Sequence, residues 1–158
     1  MRSSILLAAT LLFPVAAQAD DATDAISAAA TSAPATGALE ITVTNIVDGS
    51  GTLYLAVQDS ADTWLETDSD AAPFRDVIQP VSSTQNMVIR IEDLPPGQYA
   101  VSLFQDLDGD VELDTNFIGF PKEPFGFSAP MGKFGPPKFE DAAVQIAEED
   151  VSMSIELN

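Results

Sequence analysis

Residues 87–104 read MVIRIEDLPPGQYAVSLF. Met87, Ile89 and Ile91 alternate with Val88, Arg90 and Glu92, and Tyr99, Val101 and Leu103 alternate with Ala100, Ser102 and Phe104. A period of two marks a strand that buries one face and wets the other. Between the two runs stands Leu94-Pro95-Pro96-Gly97. Proline pre-sets φ near about −65°, and glycine takes backbone positions that other residues avoid, so these residues make a rigid turn. Tyr99 opens the return strand with an apolar body and a polar tip.

The same period recurs on both sides. Leu39, Ile41 and Val43 alternate with Glu40, Thr42 and Thr44, and Leu53, Leu55 and Val57 alternate with Tyr54, Ala56 and Gln58. Asp48-Gly49-Ser50-Gly51 separates these runs, which predicts a hairpin. Val77, Ile78 and Val81 predict a short strand broken by Pro80, a residue confined to sheet edges. Ser60 is placed to cap a short helical turn within the polar stretch 59–73. Ala143–Ile146 and Val151–Leu157 read as a closing pair across Glu148-Glu149-Asp150. No segment carries the periodicity of a long helix. The expected fold class is all-β, with about seven strands in a single antiparallel β-sandwich. An eight-stranded barrel is the alternative.

Domain organisation follows from composition. Arg2 precedes an apolar run from Ile5 to Ala17, and Ala17-Gln18-Ala19 supplies a small-x-small cleavage pattern. Residues 1–19 therefore predict a secretory signal peptide and an exported protein, periplasmic or secreted. The run is shorter than the roughly 20 apolar residues of a membrane span, and no later stretch is long enough. Residues 20–37, DDATDAISAAATSAPATG, predict a flexible tether, because one large apolar residue cannot offset the entropy of ordering it. Residues 38–158 form the predicted β-sandwich domain. The expected state is a monomer.

The chain of 158 residues carries 25 acidic and 6 basic residues, a net charge of −19, with no Cys and no His. Losing Arg2 with the signal would make that −20. Such a charge disfavours nucleic-acid and anionic-lipid partners. Without Cys there is no disulfide, thiolate metal site or thiol nucleophile. Without His the commonest general base is missing. Carboxylate pairs are plentiful, but nothing singles out one pair for hydrolysis, and Ser128 has no His partner. The expectation is not an enzyme.

The acidity concentrates in one loop. Asp106, Asp108, Asp110, Glu112 and Asp114 place five carboxylates within nine residues. That density repels itself unless solvent or a cation intervenes. Alternate carboxylates in a tight loop suit a hard cation such as Ca²⁺, which takes six to eight oxygen ligands. Asp106, Asp108 and Asp110 would offer side chains, Glu112 its carbonyl, and Asp114 a direct or water-bridged contact. Val111 stands where the helix-flanked calcium loop has Gly, and Phe117 stands where it has a bidentate Glu, so any site would be weak. The other reading is a solvated tip that hinders edge pairing.

Residues 117–139 hold six of the nine Phe residues, five Pro, four Gly, and Lys122, Lys133 and Lys138. A long irregular loop of this kind is often functional. Phe120, Lys122, Glu123, Phe125 and Phe127 are the candidate ligand-binding residues, for a protein, peptide, glycan or small molecule. Alternatively the rings plug one end of the domain.

Two resemblances add to these readings. Ile91–Val101 resembles the Leu-Pro-x-Gly-x-Tyr turn of transthyretin-like and carboxypeptidase-regulatory-like sandwiches, which implies a prealbumin/immunoglobulin-like fold. Phe104–Ser128, FQDLDGDVELDTNFIGFPKEPFGFS, resembles the signature of a bacterial secreted family known as domain of unknown function 2141. That signature is an Asp-x-Asn-Gly-Asn-Gly-x-Leu-Asp-x-Asn loop, then Gly-Ile-Pro-x-Glu, then Tyr-Gly-Phe-Ser. Asp106, Gly109, Leu113, Asp114 and Asn116 match the loop, while Asp108 and Asp110 replace amides and Val111 replaces the second Gly. Gly119, Pro121, Glu123, Gly126, Phe127 and Ser128 match the remainder. Gly135–Ala142 resembles the Gly-Pro-Pro-x-Phe-x-x-Ala segment of the family. The resemblance implies a small exported β-sandwich without an assigned activity. It leaves two readings open: a non-catalytic module with a weak structural calcium site, or a small-molecule or peptide binder built on residues 117–139 without metal.

Overall fold

A computed structural model describes residues 35–66 and 72–158. The predicted signal peptide and nearly all of the predicted tether lie outside the described residues. Among these residues eight strands follow one another: β1 (Gly37–Thr44), β2 (Thr52–Gln58), β3 (Arg75–Pro80), β4 (Met87–Leu94), β5 (Gly97–Asp106), β6 (Phe125–Phe127), β7 (Val144–Ile146) and β8 (Val151–Glu156). One short helix, α1 (Phe139–Ala142), precedes β7. The regular secondary structure among the described residues is thus almost wholly β, as the alternation requires.

The strands form two sheets. One runs β4-β1-β8. The other runs β3-β2-β5-β6, with β7 paired to β5 beside β6. Each order ends on free edges, so neither sheet closes into a barrel. Leu39, Ile41 and Val43 of β1 and Leu53, Leu55 and Val57 of β2 join Ile89, Ile91, Val101 and Leu103 in one core shared by the two sheets. Each fully buried aliphatic contributes roughly 1.5–3 kcal/mol. The inward residues are those the period of two selects. β3 lies at an edge, as Pro80 predicts.

Strand partners differ from the expectation. β1 and β2 do not form a hairpin: β1 pairs with β4 and β8, and β2 with β3 and β5. The connection 45–51 arches between the sheets. Asn45, Asp48, Gly49 and Gly51 all have positive φ, and Ile46 is buried beneath the arch. The Leu94–Gly97 turn crosses from one sheet to the other in the same way. Tyr99 secures it by donating its hydroxyl to the Pro95 carbonyl at 2.9 Å, and burial raises the phenol's pKa. β7 and β8 are not a closing pair either, since β7 pairs with β5 while β8 runs parallel to β1. The sheet is therefore mixed rather than purely antiparallel. Alternation reports which face of a strand is buried, and it says nothing about which strand lies beside it. Residues 61–65 form turns rather than a helix, with the Ser60 hydroxyl accepting from the Asp62 N–H.

No helix among the described residues is long and apolar enough to cross a membrane.

Candidate binding groove and acidic loop

The outer face of the five-stranded sheet carries an apolar surface where solvent-facing strands ordinarily place polar residues. Register aligns Ile78, Tyr54, Phe104 and Phe125 in one row across β3, β2, β5 and β6. Tyr54 and Phe104 stack with centroids 5.3 Å apart and planes at 15°. The next row is Asp76, Ala56, Ser102 and Phe127. The small side chains of Ala56 and Ser102 leave a trough beside the aromatic ridge.

The irregular segment after β5 walls this trough. Leu113, Phe120 and Pro121 line it, as does most of a second stretch, the flap Met131–Pro136. The result is a mainly apolar groove of about 1080 Å³. Ligand sites commonly span roughly 300–1,000 Å³, so this one has room for an elongated occupant.

A second, smaller core anchors the flap. Trp64 packs edge-on against Phe127 and Phe139, and its indole N–H donates to the Pro137 carbonyl at 2.8 Å. The Ser128 hydroxyl accepts from the Val101 N–H and donates to the Ala142 carbonyl. The six Phe residues of 117–139 therefore divide. Phe139 serves as a plug, Phe120, Phe125 and Phe127 line the groove, and Phe117 and Phe134 stand 99% and 103% exposed at loop tips.

The acidic loop is organised by two buried carboxylates. Asp106, 1% exposed, accepts from the Gly109 N–H at 2.7 Å and the Val111 N–H at 3.1 Å. Glu123, 8% exposed, accepts from the Leu107 N–H at 2.8 Å and the Asp114 N–H at 3.3 Å, so it clips both ends of the loop. Carboxylate oxygens of Asp106, Asp108 and Glu123 lie within 4.8 Å of one another. Asp110 and Glu112 are exposed and stand outside this cluster, and Asp114 turns to Lys122 at 3.3 Å. Of the four loop side chains expected to meet at one centre, Asp106, Asp108, Asp110 and Asp114, the fold brings together the carboxylates of Asp106 and Asp108. It adds Glu123, grouped in the sequence with the ligand-binding residues, as a carboxylate in place of the one missing at Phe117. Lys122 is exposed and belongs to the Asp114 pair rather than to the groove lining.

Val111 holds φ at +70°, a position that strains a β-branched residue. Its amide is fixed by Asp106, and its side chain reaches the groove. One loop thus couples the acidic cluster to the groove wall.

A family model described as an uncharacterised protein conserved in bacteria, DUF2141, matches residues 41–154. The chain belongs to the DUF2141 family. The matched span runs from within β1 into β8 and takes in both the acidic loop and the Phe-rich segment. No curated protein and no solved structure matches the chain. In this DUF2141 chain the groove floor has one signal in the sequence: Tyr54 and Phe104 occupy the wet positions of their strands.

Proposed function

We propose that this DUF2141 chain is a non-catalytic binding module that holds an elongated, largely apolar ligand in the groove over its five-stranded sheet. The observation that carries this reading is the groove itself, with its Tyr54–Phe104 ridge and its Ala56–Ser102 trough. Apolar surface of this extent on a sheet face marks a binding site more often than a solvated surface. The reading includes export by residues 1–19 to the periplasm or medium. It also includes a sandwich of the transthyretin-like kind, with the two sheets packed across their shared core. Catalysis is left out because the chain has no His or Cys and the buried carboxylates already hold backbone amides.

Fluorescence of the neutral probe N-phenyl-1-naphthylamine tests the groove. It should rise on binding with micromolar affinity. Ser102→Phe fills the trough from the solvent side and should weaken binding at least about tenfold, equivalent to about 1.4 kcal/mol, while leaving the melting temperature near that of the wild type. A probe that ignores the wild-type protein, or binds the variant equally, overturns the proposal.

A second reading is supported by the Asp106–Asp108–Glu123 cluster. Like charges within 4.8 Å of one another repel, and Ca²⁺ would relieve that repulsion. Each oxygen of Asp106 and Glu123 that accepts one N–H retains a second lone pair for a cation. Those two residues and Asp108 would hold the ion, which would order the loop and supply no chemistry. The expected outcome is a rise in melting temperature with millimolar Ca²⁺ over a chelator-treated sample. Asp108→Asn should abolish it and Asp110→Asn should leave it. No shift, with no heat on titration, rejects a calcium site.

A further inference from the structure

Resting on the groove reading above, we infer that its ligand carries a cationic end, seated where the trough opens at the β3 edge. The trough is directional. Its central row begins at Asp76 on the edge strand, passes Ala56 and Ser102, and ends against Phe127 on β6. Charge enters this lining mainly as carboxylate. Asp76 and Glu66 both line the groove and both are exposed. Among the described residues neither is in a salt bridge, since Arg90 and Lys122 hold those that form.

Nearby cations do not neutralise them. Arg75 adjoins Asp76 in sequence, but its guanidinium turns to the Glu92 carbonyl of the other sheet. Among the described residues Lys133 is the one basic residue lining the groove, and it sits on the Met131–Pro136 flap. The local balance is thus two acids against one base. The whole-molecule charge of −19 points the same way. It raises the local concentration of cations and lowers that of anions, so an anionic ligand would enter against the field. The aromatic ridge adds to the preference, because a cation near the face of Tyr54 or Phe104 is attracted by the ring quadrupole. The ligand class is therefore a cationic amphiphile: a long apolar body ending in an ammonium group.

Displacement of bound N-phenyl-1-naphthylamine by three straight-chain probes of similar tail length and different head group provides the test. The probes are decyltrimethylammonium, decanol and decanoate, the two ions below the concentration at which they form micelles and decanol below its solubility limit. At low salt the ammonium should displace at about fivefold lower concentration than decanol, with decanoate weakest. The ammonium preference should collapse at high salt. It should also collapse in the Asp76→Asn/Glu66→Gln variant, read as the ratio of ammonium to decanol displacement within that variant. Equal displacement by all three, or displacement led by decanol or decanoate, overturns the cationic preference and leaves the groove reading standing. Failure of the naphthylamine probe itself to bind overturns both.

Discussion

Replacing Gly51 with alanine should lower the melting temperature by roughly 10–20 °C, for a loss of about 3–5 kcal/mol. Gly51 sits at φ +82°, where a Cβ is strained by roughly 1–2 kcal/mol. The larger part of the cost is steric. A Cβ at position 51 would land on the Asp106 backbone carbonyl oxygen, and rigid backbone, unlike a flexible side chain, has no easy escape. β2 and β5 pair at this end through Thr52 and Asp106, so relief requires parting the strands. Gly51 also accepts the Val81 N–H at 3.0 Å, which ties the arch to the segment after β3. Gly109→Ala is the control. Gly109 has φ +85°, yet nothing lies within 4 Å of a Cβ there. It should show only the conformational part, near 1–2 kcal/mol. Equal losses in the two variants, read from urea unfolding, would refute the steric account.

Gln105→Glu should be nearly as severe. Gln105 is fully buried, and its amide matches the 45–51 arch group by group. Its Oε1 accepts from the Val47 N–H at 3.0 Å, and its Nε2 donates to the Val47 and Ser50 carbonyls, both at 2.7 Å. A carboxylate keeps the shape and loses both donors, so two carbonyls would face a buried negative charge. The expected loss at neutral pH is about 3–5 kcal/mol, since removing one partner from a buried polar network leaves the others desolvated and unpaired. The loss should shrink on acidification. A carboxyl in this setting has its folded pKa raised above the unfolded value of about 4.3. The stability of its protonated form is therefore present below the unfolded pKa and disappears as the pH rises through the folded one. Gln105→Leu removes the charge but leaves the three backbone groups unpaired, so it should stay destabilised by a similar amount at every pH. A Gln105→Glu deficit that does not vary with pH would contradict this account.

Both variants act on the arch, which is the part of the fold least legible in the sequence. Alternation in 39–44 and 52–58 names the buried side chains correctly, because the hydrophobic effect selects a face and depends only on local spacing. The DGSG segment was equally clear as a turn. Whether it joins neighbours in one sheet or arches between two depends on what can satisfy its backbone. That partner is Gln105, more than fifty residues away in sequence. The acidic loop behaves similarly. Asp106 and Asp108 were visible as a pair of candidate ligands, but Glu123 joins them only because residues 114–122 fold back through a local turn built on Asn116. Asp110 and Asp114 had the same claim on spacing, and their carboxylates are placed elsewhere.

The sequence by itself determined the all-β class, the family, the inward residues of each strand and the location of the acidic and aromatic segments. Each of these depends on composition or on contacts a few residues apart. The tertiary structure alone decided the strand partners, the parallel entry of β8, the third carboxylate of the cluster and the groove. These depend on pairings between distant segments. Such pairings are set by the joint satisfaction of buried backbone groups and by the cross-strand register that lines Tyr54 up with Phe104 and Ala56 with Ser102.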